Sequence, residues 1–171
     1  MRARRYALVV VLLLGATPSW AGELGSGKTP VRMTVREVRQ DRGQPVVLLQ
    51  TDGAKQILPI WIGASEAQVI QLRLANQQAV RPLTLDLLQS MLGVLGAKVE
   101  KVEVDDMKEN VFLGKATLRD VRGRRYRIDG RPSDLIGLAL GVKLPIFVAP
   151  KVLEKAGQDG AKWTSPDPTA P

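Results

Sequence analysis

Asp129, Arg131 and Asp134 stand within one six-residue span of the stretch IDGRPSDLIGLAL, residues 128–140, and Ser133 lies beside the second acid. Two carboxylates and a guanidinium at the mouth of an apolar segment allow two readings. An acid in the first turn of a helix is favoured by the helix dipole, typically by about 0.3–1 kcal/mol, and Ser133 suits an N-cap. Neither role requires Arg131. An arginine beside two acids either pairs with one of them in a bidentate fork or reads an anion such as a phosphate near a helix N-terminus. Pro132 biases Arg131 toward extended backbone, so the loop is rigid under either reading.

Other acids sit in comparable places. Glu66 follows Ser65, and Asp86 lies two residues after Thr84, each in the first turn of an expected helix. IGASEAQVIQL and DGRPSDLIGLAL share the run of glycine, serine, acid and apolar helix, with Ser65–Glu66 matching Ser133–Asp134. Internal duplication and the common grammar of helix starts both account for that echo.

The chain contains no histidine and no cysteine. This excludes a thiol nucleophile, a Ser-His-Asp triad, a histidine base and a Cys/His zinc site. Catalysis must run on carboxylates, lysine, arginine, tyrosine or hydroxyls, and any metal must be a hard, oxygen-bound one such as magnesium, manganese or calcium. Arg122, Arg124, Arg125 and Arg127 form a second basic group. They suit either sequence-independent contact with a nucleic-acid backbone or a solvated hairpin turn. Trp61 and Tyr126 fall in expected strands and read as core rather than as stacking platforms.

The elements that must position these residues are legible from periodicity. VRMTVREV alternates apolar and polar, VVLLQT and QILPIWIG follow across turns, and the three form a meander of strands. A helix capped by Ser65 runs to about Gln77, and a second, capped by Thr84, carries Leu85, Leu88, Met91, Leu92 and Leu95 on one stripe until Gly96 stops it. AKVEKVEVDDM, NVFLGKATLRDV and RGRRYRID are further strands, Ser133 to about Leu140 is a third helix, LPIFVA a short strand and PKVLEKAG a short helix. The order β-β-β-α-α-β-β-β-α-β-α predicts an α+β domain with three main helices laid on a mixed sheet.

Residues 1–21 read as a secretory signal: Arg2, Arg4 and Arg5 precede an apolar run from Ala7 to Ala16, and Ser19-Trp20-Ala21 fits cleavage after Ala21. The apolar run is too short to span a hydrocarbon layer of about 30 Å. Cleavage removes three arginines and no acid, so the formal charge of +8 falls to +5 and the product is expected in the periplasm or outside the cell. Residues 22–30 read as a flexible lead-in, 31–157 as the domain, and 158–171 as a polar, proline-rich disordered tail. A moderately basic exported domain suits nucleic acid, anionic lipid or another acidic polymer.

Five segments, LPIWIGASEA, RPLTLDLL, LGAKVEKVEV, IDGRPSDLIGLAL and PIFVAPKVLEKAG, in this order and spacing, resemble the bifunctional nuclease domain family of bacteria and plants, over roughly Val31 to Gly157. The resemblance implies an α+β fold, a homo-oligomer and hydrolysis of phosphodiester bonds in DNA and/or RNA. It makes Glu66, Asp129, Arg131 and Asp134 the candidate catalytic residues. A hard metal, magnesium or manganese, would be held by Glu66, Asp129 and Asp134 and supply the nucleophile, with Arg131 clamping the phosphate. Two positions depart from the family pattern: Leu85 stands where many bacterial members have histidine, and Gly130 where a side chain is usual. The rivals are a non-catalytic envelope module that binds nucleic acid or another polyanion, and an assembly subunit in which the Arg131 knot locks an interface.

Overall fold

The computed structural model describes residues 29–164; the expected signal segment, most of the lead-in and the last seven residues lie outside the described part. Three antiparallel strands open the domain: β1 (Val31–Asp41), β2 (Gln44–Gln50) and β3 (Gln56–Trp61). Arg42 and Gly43, both at positive φ, make the β1–β2 turn, the backbone that matches the twist of a two-residue hairpin. Helices α1 (Ala64–Leu74) and α2 (Thr84–Val94) follow, then β4 (Lys98–Lys108), β5 (Val111–Arg119) and β6 (Arg125–Gly130). After α3 (Pro132–Gly141) come β7 (Ile146–Val148), α4 (Pro150–Ala156) and β8 (Gln158–Asp159). The strands form one eight-stranded sheet in the order β6-β5-β4-β7-β1-β2-β3-β8. Only the β4–β7 pair is parallel, so the sheet is mixed and the domain α+β as expected.

β2 explains why the middle of the sheet is so apolar. Val46, Val47, Leu48 and Leu49 are all fully buried, the mark of a strand covered on both faces. Val47 and Leu49 join the main core with Ile70, Val102, Val104 and Ile136. Val46, Leu48 and Ile57 form a second cluster on the opposite face, and Trp163 packs against it. Trp163 comes from the segment read as disordered tail. There Gln158 and Asp159 pair with Ile57 and Gln56, a 3₁₀ turn at Gly160–Trp163 follows, and Arg39 stacks over the indole at 5.8 Å. The ordered domain therefore continues past Gly157, because β2 and β3 need a cover on their second face.

α3 is buried from Pro132 to Ala139 except for Asp134, as a helix apolar all round must be. It lies between the sheet and the other two long helices. A β-carbon on Gly114 or Gly130 would press on Leu135, and one on Gly137 would collide with Leu85 of α2. The bare backbone of Gly130 thus lets α3 sit close to β6. Each helix begins one or two residues earlier than expected: the N-caps are Gly63, Leu83 and Arg131 rather than Ser65, Thr84 and Ser133, and none of them caps through its side chain.

α2 differs most from expectation. None of its residues is buried; Leu85 and Leu92 are half-covered, while Leu87, Leu88, Met91 and Val94, with Leu95 just beyond, face outward. Trp61 and Tyr126, expected in the core, are 41% and 42% exposed.

Candidate active site

The two echoing helix starts meet in space. Arg131, at the N-cap of α3, donates from Nε to Asp134 Oδ2 at 2.8 Å and from Nη2 to Asp134 Oδ1 at 3.1 Å. The same Nη2 lies 2.9 Å from Glu66 Oε1, in the first turn of α1. One guanidinium therefore spans two carboxylates, Glu66 and Asp134, from two different helices. Asp134, first by its hydrogen bond and then by its charge, and Glu66 by its charge, hold the Arg131 pKa above its ordinary value, so the cation is permanent. Nη1 makes no hydrogen bond to the described residues, and the Arg131 side chain is 68% exposed. The group is thus oriented by acids on one edge and open on the other, the arrangement that fits an anion.

Glu66 is placed by backbone. Its carboxylate folds over Gly63, where a β-carbon would overlap Oε2. The two acids and Arg131 border a cavity of about 310 Å³, with Ser65, Leu83, Thr84 and Leu85 completing its wall. Leu85 is therefore inside the site, turned toward α3 over Gly137.

The remaining candidates are elsewhere. β6 alternates, and a β-carbon on Gly130 points at Leu135 of α3; Asp129 consequently projects from the other face of the sheet, opposite Lys115 in the β5–β6 register. Asp129 does not join Glu66 and Asp134. Asp86 is taken up as scaffold: it accepts from the Leu83 backbone N–H at 2.9 Å and from Arg73 Nη2 at 2.8 Å, and Arg73 also donates to the Gly137 carbonyl. Arg73 so ties α1 to α2 and α3 beneath the site.

The expected metal fails a test of its donors. Of Glu66, Asp129 and Asp134, one faces the wrong side of the sheet, and the Arg131 cation stands between the other two. Among the described residues no three acidic side chains cluster in a way suited to a metal ion.

The second basic group lies at the far end of β6, about 17 Å along the strand at ~3.3 Å per residue. Its charges are largely matched. Arg124 pairs with Asp120 at 2.9 Å, Arg125 with Glu100 at 2.6 Å, and Arg127 approaches Glu103 at 3.9 Å; Arg122 makes no ion pair among the described residues. Hydrogen bonds from Arg125 and then Arg119 hold the Glu100 carboxyl below its ordinary range. At Asp120 desolvation pushes upward, and hydrogen bonds from Arg124 and Tyr126 outweigh it, so the net shift is down. A depressed carboxyl pKa stabilises the fold at pH values above the ordinary carboxylate range and loses that effect as pH falls through the folded value. Amide exchange in the β5–β6 hairpin, corrected for intrinsic rates, is expected to be slow at pH 6 and to accelerate below about pH 4; equal protection at pH 6 and pH 3 would contradict this.

The fold and the site describe an α+β protein built round a paired arginine at the meeting of two helix N-termini. The family model for the bifunctional nuclease domain matches residues 46–160, a span that runs from within β2 through β8. The chain belongs to the bifunctional nuclease domain family. An uncharacterized protein of Mycobacterium tuberculosis is 37% identical over 127 residues, covering 74% of this chain and 75% of that one. Proteins called bifunctional nuclease 2 in rice (Oryza sativa subsp. japonica) and in Arabidopsis thaliana are 26% and 28% identical over 116 and 105 residues. The matches cover 66% and 60% of this chain, but only 36% and 32% of those plant proteins, about a third of their length.

Proposed function

We propose that this protein is an exported nuclease that hydrolyses phosphodiester bonds of DNA and/or RNA at the Glu66–Arg131–Asp134 site. The observation that carries the reading is the shared guanidinium: two acids fix Arg131 while its Nη1 edge stays open beside a cavity. A phosphodiester oxygen accepting from that edge gains charge stabilisation as the phosphorane forms. A carboxylate of the pair, Glu66 being the more enclosed, accepts the proton of the attacking water. The water oxygen bonds to phosphorus, the P–O bond to the leaving sugar oxygen breaks, and that oxygen takes a proton from solvent. Magnesium or manganese has no step in this scheme because the acids do not assemble round an ion. Cleavage of plasmid DNA and structured RNA is therefore expected to persist in EDTA; complete loss in EDTA with recovery on added magnesium would mean that the side chains rearrange into a metal site.

Gly63→Ala tests the placement of Glu66. The added methyl is expected to push the carboxylate off Arg131 and lower cleavage about 10–100-fold, with far-UV circular dichroism unchanged. Cleavage at the wild-type rate would remove Glu66 from the mechanism.

The rival is a non-catalytic envelope module that has kept the fold and binds nucleic acid or another polyanion. Leu85 favours it, since an aliphatic side chain fills the place of a base in the site wall. Polyanion binding lost in Arg131→Ala, with no cleavage under any condition, is its signature.

A homo-oligomer is part of the proposal. Its support is the outer face of α2, where Leu88, Met91, Val94 and Leu95 are exposed and no charged residue occurs between Leu87 and Ala97. An uncharged apolar face meets a second copy of itself without like-charge repulsion. Met91→Glu is expected to convert the assembly to monomers in light scattering; a wild-type monomer at the same concentration would refute it. No helix among the described residues is long and apolar enough to cross a membrane.

A further inference from the structure

Arg131 has a second neighbour besides the acidic cavity. On its other side lies a groove of about 390 Å³ walled by Trp61, Asn110, Val111, Phe112 and Pro132. Its sides are the end of β3, the β4–β5 turn and the start of α3. Trp61 is 41% exposed and does not lie loose: its indole Nε1 donates to Asp41 Oδ2 at 3.1 Å. Val111 is exposed and Phe112 half-buried. Asn110 and Gln44, both amides, also line it. An apolar groove with an oriented indole, two amides and one guanidinium at its boundary has the composition of a site for a flat heteroaromatic ring attached to an anion.

We infer that the Trp61–Phe112 groove is a nucleobase subsite, taking one unpaired base next to the phosphate that Arg131 holds. The inference rests on the nuclease reading for the identity of that phosphate and adds how the strand is gripped. In a polynucleotide a base and its own phosphate are neighbours, and here Arg131 lines both the acidic cavity and the groove that holds Trp61 and Phe112. Stacking on an indole tolerates any base, so the subsite gives no sequence preference, but the base must be free of its duplex partner. The protein therefore favours single-stranded segments, loops and frayed ends over intact duplex.

Equilibrium binding of phosphorothioate-linked, hydrolysis-resistant probes, measured by fluorescence anisotropy, separates this from the nuclease reading. The probes are a single-stranded DNA 12-mer, the same 12-mer with abasic tetrahydrofuran units in place of its nucleosides, and the corresponding duplex. The wild-type chain is expected to bind the base-bearing strand about tenfold more tightly than the abasic strand or the duplex. Trp61→Ala removes that preference while leaving affinity for the abasic strand unchanged; Trp61→Phe retains most of it. Trp61→Leu keeps an apolar side chain against β2 and supplies the same comparison if the alanine variant is unstable. Equal wild-type affinity for base-bearing and abasic strands overturns the subsite and leaves the Arg131 site standing, as does a preference that survives loss of Trp61. Absence of binding to all three probes overturns both.

Discussion

Arg131→Ala is expected to lower kcat/KM for phosphodiester cleavage by about 10²–10³-fold, the usual consequence of removing one oriented donor from developing negative charge. Arg131→Lys is expected to lose nearly as much. A lysine keeps the charge but has no planar fork, so it cannot hold Asp134 through two hydrogens while sharing one nitrogen with Glu66. Thermal unfolding of both variants should match the wild type closely, because the pairs are exposed and such pairs contribute little to stability. The combination of lost activity and kept stability separates a functional arginine from a structural one. A large fall in melting temperature with cleavage intact would assign the knot to the scaffold, as the helix-cap reading of IDGRPSD has it.

The second large effect is on stability. Ile136→Ala is expected to destabilise the domain by about 2–5 kcal/mol and to lower the unfolding midpoint by about 10 °C. Ile136 is fully buried in α3, in the core cluster that also takes in Ile70 of α1 and Val102 and Val104 of β4. Its loss leaves a cavity that neighbours can close only by moving helices. α3 presents both Arg131 and Asp134, so partial collapse there should also loosen the site, and activity is expected to fall at temperatures well below the new midpoint. A change under about 1 kcal/mol by chemical denaturation would show that α3 repacks freely and is not the rigid base on which the site rests.

Local signals were the legible part of this protein. Strand alternation, the VVLL run, Gly96 after α2 and the Pro-Ser-Asp start of α3 each depend on a few neighbouring residues, and each announces its element. What covers an element depends on distant residues. The stripe on α2 is real, yet periodicity says only that a face is apolar; Leu88, Met91 and Leu95 face outward because α3 and the sheet are already covered by other side chains. Trp163 was hidden in the opposite way, a single covering side chain within a polar, proline-rich stretch.

The candidate site divides along the same line. Arg131 and Asp134 are three residues apart, and their pairing follows from the first turn of a helix. Glu66 lies 65 residues from Arg131; the echo between the two helix starts and the LPIWIGASEA segment were its sequence traces, and the two starts do converge. Asp129 was misleading because it is near in sequence, while the alternation of β6 sends it to the opposite face. Strand parity, with Gly130 toward α3, was the available clue. Arg124 and Arg125 looked like a free basic run since their partners, Asp120 and Glu100, come from a turn and from β4, two strands over in the sheet.

The most direct test sets plasmid DNA and a structured RNA beside the purified protein and beside a variant carrying Arg131→Ala together with Asp134→Asn, with magnesium, with manganese and with EDTA. The wild-type chain is expected to nick the plasmid and fragment the RNA, and the double variant, still folded by circular dichroism, to leave both intact. Cleavage by both preparations at equal rates, or by neither under any condition, would contradict a phosphodiesterase site at Glu66, Arg131 and Asp134.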